Sequence, residues 1–137
     1  MKYLNSPAFR SMFIDFFSIV FCIISIVILI LVFGSSNSGT FHFYGLEGGK
    51  STFTGMLIIA VYLFKGVVGY SFLTAKSFRF SIAKFDAISG IVICSLVMLF
   101  DTFQHGIFPY NRTTMLSHVV ILLVYLHVVN KMEAAEH

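Results

Sequence analysis

Residues 12–33 read Met12-Phe13-Ile14-Asp15-Phe16-Phe17-Ser18-Ile19-Val20-Phe21-Cys22-Ile23-Ile24-Ser25-Ile26-Val27-Ile28-Leu29-Ile30-Leu31-Val32-Phe33. This stretch decides the fold. Its single ionisable residue of the Asp, Glu, Lys or Arg type is Asp15. Crossing a hydrocarbon core of ~30 Å takes about 20 helical residues, and the run is of that length. A helix satisfies its backbone polar groups internally, as a lipid environment demands. A membrane β-strand would instead alternate apolar and polar side chains. The segment Ile19-Val20-Phe21-Cys22-Ile23-Ile24 shows no such alternation.

Three further apolar runs follow, at residues 53–74, 85–105 and 114–130, the last near the lower limit for a span. The expected fold is therefore an all-α membrane protein, with four transmembrane helices in a compact up-down bundle. The whole chain, residues 1–137, reads as a single integral-membrane domain. Composition agrees. Hydrophobic residues make up 58% and charged residues 11%, with 17 Phe and 6 Tyr. Typical globular chains carry roughly 25% charged residues. A chain this short cannot hide so much apolar side chain in a soluble core. A soluble enzyme, a disordered tail and a disulfide-stapled scaffold are all excluded.

The first run has Lys2 and Arg10 ahead of it, as a secretory signal would. It is longer than the about 7–15 apolar residues of such a signal. Gly34-Ser35-Ser36-Asn37-Ser38 supplies no A-x-A-like cleavage site. It reads as a retained span. Cys22 and Cys94 both lie in apolar runs with no C-x-x-C pattern, and are expected to act as small hydrophobes.

Basic residues set orientation. With the N-terminus inside, the cytoplasmic side holds Lys2, Arg10, Lys76, Arg79, Lys84 and Lys131, against Lys50 and Arg112 outside. Both termini are thus expected in the cytoplasm. The net charge of +3 is scattered and gives no nucleic-acid footprint. Residues 34–52 are expected to form a Gly/Ser-rich outer loop. Its aromatic island, Phe41-His42-Phe43-Tyr44, should lie at the headgroup level. Residues 75–84 are expected to form an interfacial inner loop, and residues 106–113 a short outer one with Pro109 and Tyr110.

Two short motifs carry no weight. Gly48-Gly49-Lys50-Ser51 resembles the end of a phosphate-binding loop, but Gly45 precedes Gly49 by one residue too few and no apolar strand leads in. Asn111-Arg112-Thr113 fits the glycosylation tripeptide but hugs the membrane. No H-E-x-x-H or G-x-S-x-G pattern occurs, so no catalytic residue is assigned.

The informative residues are the ionisable ones inside spans, because a Lys or Asp at a helix centre costs roughly 2.5–3.5 kcal/mol on insertion scales. Lys65 sits near the middle of the second span, displaced toward the cytoplasm. Asp15 and Asp86 wait at the cytoplasmic ends of the first and third spans as candidate partners. Such a cluster acts either as an ion pair that orders packing or as part of a proton or ion pathway. Asp15, Ser18, Cys22 and Ser25 share a helical face suited to close packing against a span bearing Gly55, Ala60, Gly66 and Gly69, or one bearing Ser89, Gly90 and Ser95.

At the outer end Asp101 and His105 lie four apart, and His118 enters at the same side. A hydrogen-bonded polar layer is the simplest reading of this cluster. A metal ion, or haem b between His105 and His118, is the alternative. No resident cofactor is expected otherwise. His127 lies beside Asn130 and Lys131 at the cytoplasmic interface.

The layout resembles that of small four-span bacterial membrane proteins in architecture alone, and no functional residue is carried over from that likeness. It points to a bacterial cytoplasmic (inner) membrane. Three functions compete. The first is a non-catalytic subunit or accessory protein, not an enzyme, that packs against other membrane subunits or itself within the lipid bilayer. The second is a small ion, proton or solute transporter or channel working as an oligomer. The third is a redox subunit linked to haem or quinone.

Overall fold

The structure, a computed structural model, describes residues 7–34, 39–43, 46–105 and 112–136. These residues form four helices: α1 (Pro7–Gly34), α2 (Phe53–Leu73), α3 (Arg79–His105) and α4 (Arg112–Glu136). Two strands, β1 (Thr40–Phe43) and β2 (Leu46–Gly49), lie between α1 and α2. All four helices are long and apolar enough to cross a membrane. The 21 residues of α2 extend about 31 Å, close to the hydrocarbon thickness.

Helix α1 packs along α2, and α3 along α4; α2 also meets α3, and α1 meets α4. Close approach explains the first pairing. A Cβ added at Gly66 would lie 2.3 Å from Ser25 Oγ, and one at Gly69 would lie 2.4 Å from the Ser18 carbonyl oxygen. Only hydrogen fits there, against a side chain at Gly66 and against backbone at Gly69. The thiol of Cys22 points at the Gly66 carbonyl oxygen, 3.8 Å away. Ser18 is buried but satisfied, since its hydroxyl donates to the Ile14 carbonyl at 2.8 Å.

The buried face of α1 is Ile14, Ser18, Phe21, Ser25 and Ile28. Asp15 stands beside that face, exposed, and accepts a hydrogen bond from Ser11 Oγ at 3.4 Å. The spacing of Ile14 suits the buried face as well as that of Asp15 does, and a carboxylate is far costlier to bury than isoleucine. The opposite side of α1, with Phe16, Ile19, Ile23, Ile26, Ile30 and Phe33, is exposed. An all-round apolar helix with one buried stripe is what a lipid-facing span needs.

The main core cluster includes Ile14, Phe21, Val68, Ala83, Ala87 and Tyr125. Tyr125 of α4 joins it to α1, with ring centroids 5.4 Å from Phe17 and 5.9 Å from Phe21. Cys94 is fully buried in a second cluster with Leu122, and both cysteines are free thiols.

Three segments differ from the sequence expectation. The stretch after α1 is not loop throughout: β1 and β2 pair antiparallel, with Thr40 opposite Gly49 and Phe43 opposite Leu46. The signal was the local alternation Phe41-His42-Phe43, which places His42 outward and Phe41 and Phe43 half-buried. Phe43 is turned onto Tyr62, at 4.5 Å between ring centroids. The residues resembling a phosphate loop end this hairpin and lead into α2, whose N-cap is Thr52. The Thr52 hydroxyl accepts from Gly55 N–H at 3.0 Å and donates to the Gly49 carbonyl at 2.8 Å.

The second difference lies between α2 and α3. Helix α3 begins at Arg79, inside the expected inner loop, and the connection shortens to residues 74–78. Helix α2 ends in a Schellman motif. Lys76 N–H donates to the Ser71 carbonyl at 2.9 Å and Ala75 N–H to that of Phe72 at 3.1 Å. Ala75 takes the left-handed position, with φ of 51°. The third difference is at the other end of the chain. Helix α4 continues to Glu136, and Arg79 and Lys84 of α3 pair with Glu136 and Glu133. Charged residues at the margins of the apolar runs thus continue the helices, because they find partners across the α3–α4 contact.

Candidate functional site: a buried ion pair below an aromatic cavity

Lys65 lies twelve residues beyond the start of α2, about 18 Å along the helix. Asp86 lies seven residues beyond the start of α3, about 10 Å along it. The early start of α3 therefore puts Asp86 about two turns into the helix rather than at its first turn. The two groups meet there: Lys65 Nζ donates to Asp86 Oδ2 at 2.7 Å. Their side chains are 6% and 2% exposed. A short N–H···O contact between full charges is the strong kind of hydrogen bond, and low local dielectric strengthens it further. Desolvation of both ions opposes that gain. The balance makes the pair costly to break from one side only.

Aromatic rings surround the ammonium. Lys65 Nζ stands 4.7 Å from the Phe21 ring centroid and 5.7 Å from that of Phe43. Ring faces attract a cation within about 6 Å. Phe21 comes from α1, Phe43 from β1, Lys65 from α2 and Asp86 from α3, so four elements converge on one charge pair.

Next to the pair lies a cavity of about 420 Å³. Its lining includes Phe17, Phe21 and Ile24 of α1, His42 and Phe43 of β1, Tyr62 and Lys65 of α2, and His118, Ile121 and Leu122 of α4. Tyr62 Oη donates to the His42 carbonyl at 2.9 Å, which pins the hairpin to α2 beside the cavity. Outside, His42 Nδ1 lies 3.8 Å from Glu47 Oε2, on the exposed side of the hairpin. His118 Nδ1 lies 2.7 Å from the Thr114 carbonyl oxygen. A carbonyl oxygen only accepts, so this contact places a proton on Nδ1.

Of the residues singled out in the sequence, the structure brings Lys65 and Asp86 together and leaves Asp15 on an exposed flank. His118 faces the cavity, on the same side of the protein as the hairpin. The side chains of Asp101 and His105 lie outside the described residues. Among the described residues, no three His, Cys, Asp or Glu side chains gather as a metal site would require. Sequence reading missed the ring pair Phe21 and Phe43 and the anchor Tyr62. Nothing in their local pattern separates them from the other aromatics of this Phe-rich chain; only the fold places them around one ammonium. Compared with known proteins, the chain matches no family model, no curated protein and no solved structure.

Proposed function

We propose that this protein is a non-catalytic subunit or accessory protein of a bacterial cytoplasmic membrane, acting by helix packing. In this reading its four spans form an up-down bundle with both termini in the cytoplasm. The observation that carries the reading is the Lys65–Asp86 pair. A lysine and an aspartate, both buried within the protein, neutralise each other at the junction of α2 and α3. An arrangement of this kind orders a bundle. The distribution of basic residues supports the orientation: Lys76, Arg79, Lys84 and Lys131 gather at the end of the protein where α2 and α4 finish.

The partners are other membrane subunits or further copies of this chain. Extraction of native membranes in mild detergent, followed by affinity capture, tests the proposal. A membrane polypeptide recovered in fixed stoichiometry, or a stable homo-oligomer, is expected. A partnerless monomer that carries proton or ion flux into liposomes, with the flux lost in Lys65→Met, would overturn it and favour the transport reading.

A further inference from the structure

Where α2 ends and α3 begins lies a second pocket, of about 220 Å³. It is lined by Ala75, Lys76, Ser77, Arg79 and Phe80, and by Glu136 of α4. Its charges do not cancel. Arg79 Nη2 donates to both carboxylate oxygens of Glu136. The ammonium of Lys76 forms no ion pair among the described residues. The lining residues therefore keep a net positive charge.

Donors remain as well as charge. Both contacts of Arg79 with Glu136 use the same nitrogen, so Nε and Nη1 of the guanidinium are uncommitted among the described residues. Ser77 adds a hydroxyl that makes no hydrogen bond among the described residues.

These donors are held in place. Lys76 N–H donates to the Ser71 carbonyl at 2.9 Å, and the Lys76 carbonyl accepts from Arg79 N–H at 3.2 Å. The turn that carries Lys76 and Ser77 is thus tied to α2 at one end and to α3 at the other. The Arg79 guanidinium carbon lies 4.9 Å from the centroid of the Phe80 ring, and the side chain is 17% exposed. A fixed guanidinium loses little freedom when it takes a second acceptor.

The occupant is an anion, and the donor set narrows its kind. An ammonium, a hydroxyl and the free edge of a guanidinium make three separate donor groups. A phosphate monoester presents three strong acceptor oxygens and carries nearly two negative charges at neutral pH. Arginine beside lysine is a common phosphate-binding combination, the one as a planar fork and the other as a point charge. We propose that this pocket binds a phosphate monoester group through Lys76, Ser77 and Arg79, with Glu136 competing for Arg79. The proposal goes beyond the packing role and does not depend on it.

The test is fluorescence anisotropy of a labelled short-chain phosphatidic acid with the whole protein in uncharged detergent micelles, protein-free micelles correcting for partition. Binding should saturate near one per chain. Labelled phosphatidylcholine, whose phosphate is a diester, should bind at least about 10-fold more weakly, the usual worth of a hydrogen bond to a charged group. Lys76→Gln and Arg79→Gln should each weaken binding of the phosphatidic acid by a similar factor. Glu136→Gln should tighten it, because Arg79 is then released to the phosphate. Lys50→Gln, a basic residue outside the pocket, should leave it unchanged. Circular dichroism checks that each variant is folded, and the opposite signs expected for Lys76→Gln and Glu136→Gln decide the matter even if Arg79→Gln does not fold. Competition by inorganic phosphate separates the two sources of the group: displacement at millimolar phosphate marks a site for the free anion, and resistance marks one for a lipid headgroup. Equal binding of the two lipids, unchanged binding in Lys76→Gln, or weaker binding in Glu136→Gln would each overturn the proposal.

Discussion

At the scale of single residues, the α1–α2 contact rests on absent side chains. Gly66 and Gly69 face Ser25 and Ser18 at distances no Cβ tolerates. Substituting alanine at either position should destabilise the protein by about 1–3 kcal/mol, the usual cost of overpacking. The two sites should differ in rescue. At Gly66 the obstacle is the Ser25 side chain, so Ser25→Gly should restore most of the loss in Gly66→Ala. At Gly69 the nearest obstacle is a backbone oxygen, and no side-chain change at Ser18 should help. Denaturation in mixed micelles, followed by circular dichroism, reads both. Equal rescue at the two sites would refute this account of the contact. The small-residue face of α1 was legible in the sequence from the spacing of Ser18, Cys22 and Ser25. The place of Asp15 was not, since spacing gives a face only to within one residue and the burial cost of a carboxylate settles the rest.

At the scale of elements, the connection between α2 and α3 carries a measurable strain. Ala75 occupies the left-handed position of the Schellman motif, which costs an L-residue roughly 1–2 kcal/mol. Ala75→Gly should therefore raise stability by up to about 1 kcal/mol, offset by the greater chain entropy of glycine. A lower melting temperature would contradict the assignment. Across α3 and α4, the pairs of Arg79 with Glu136 and Lys84 with Glu133 are partly solvated. Arg79→Ala should cost no more than about 1 kcal/mol, and less in high salt. A loss of several kcal/mol would show that the pair is shielded. Helix ends were the least legible feature. Apolar runs mark the lipid-facing part of a helix, whereas Arg79, Lys84, Glu133 and Glu136 extend α3 and α4 through contacts between residues distant in the chain. The hairpin was hard to read for a related reason: beyond the alternation Phe41-His42-Phe43, four-residue strands held by Tyr62 and by the backbone approach of Gly48 to Gly55 have little local signature.

At the scale of the whole molecule, α1 with α2 and α3 with α4 make two helical hairpins, and the Lys65–Asp86 pair lies where α2 meets α3. Four apolar spans and a buried lysine were plain from the sequence. Its partner was narrowed to two carboxylates, because the choice between Asp15 and Asp86 depends on helix rotation. If both termini are in the cytoplasm, as proposed, thiol labelling of cysteine-free protein in right-side-out vesicles should reach Glu47→Cys but not Lys131→Cys with an impermeant reagent; the reverse pattern would invert the proposed topology. On this account the Lys65–Asp86 pair clamps the two hairpins together, and a double-mutant cycle on Lys65 and Asp86 tests that most directly. Lys65→Met and Asp86→Leu, each alone, should lose about 3–5 kcal/mol, because each strands one buried charge. The double variant should recover a large part of that loss, with a coupling energy of at least about 2 kcal/mol. Losses that add to within about 0.5 kcal/mol would show that the two groups do not interact in the folded protein, and would contradict the account.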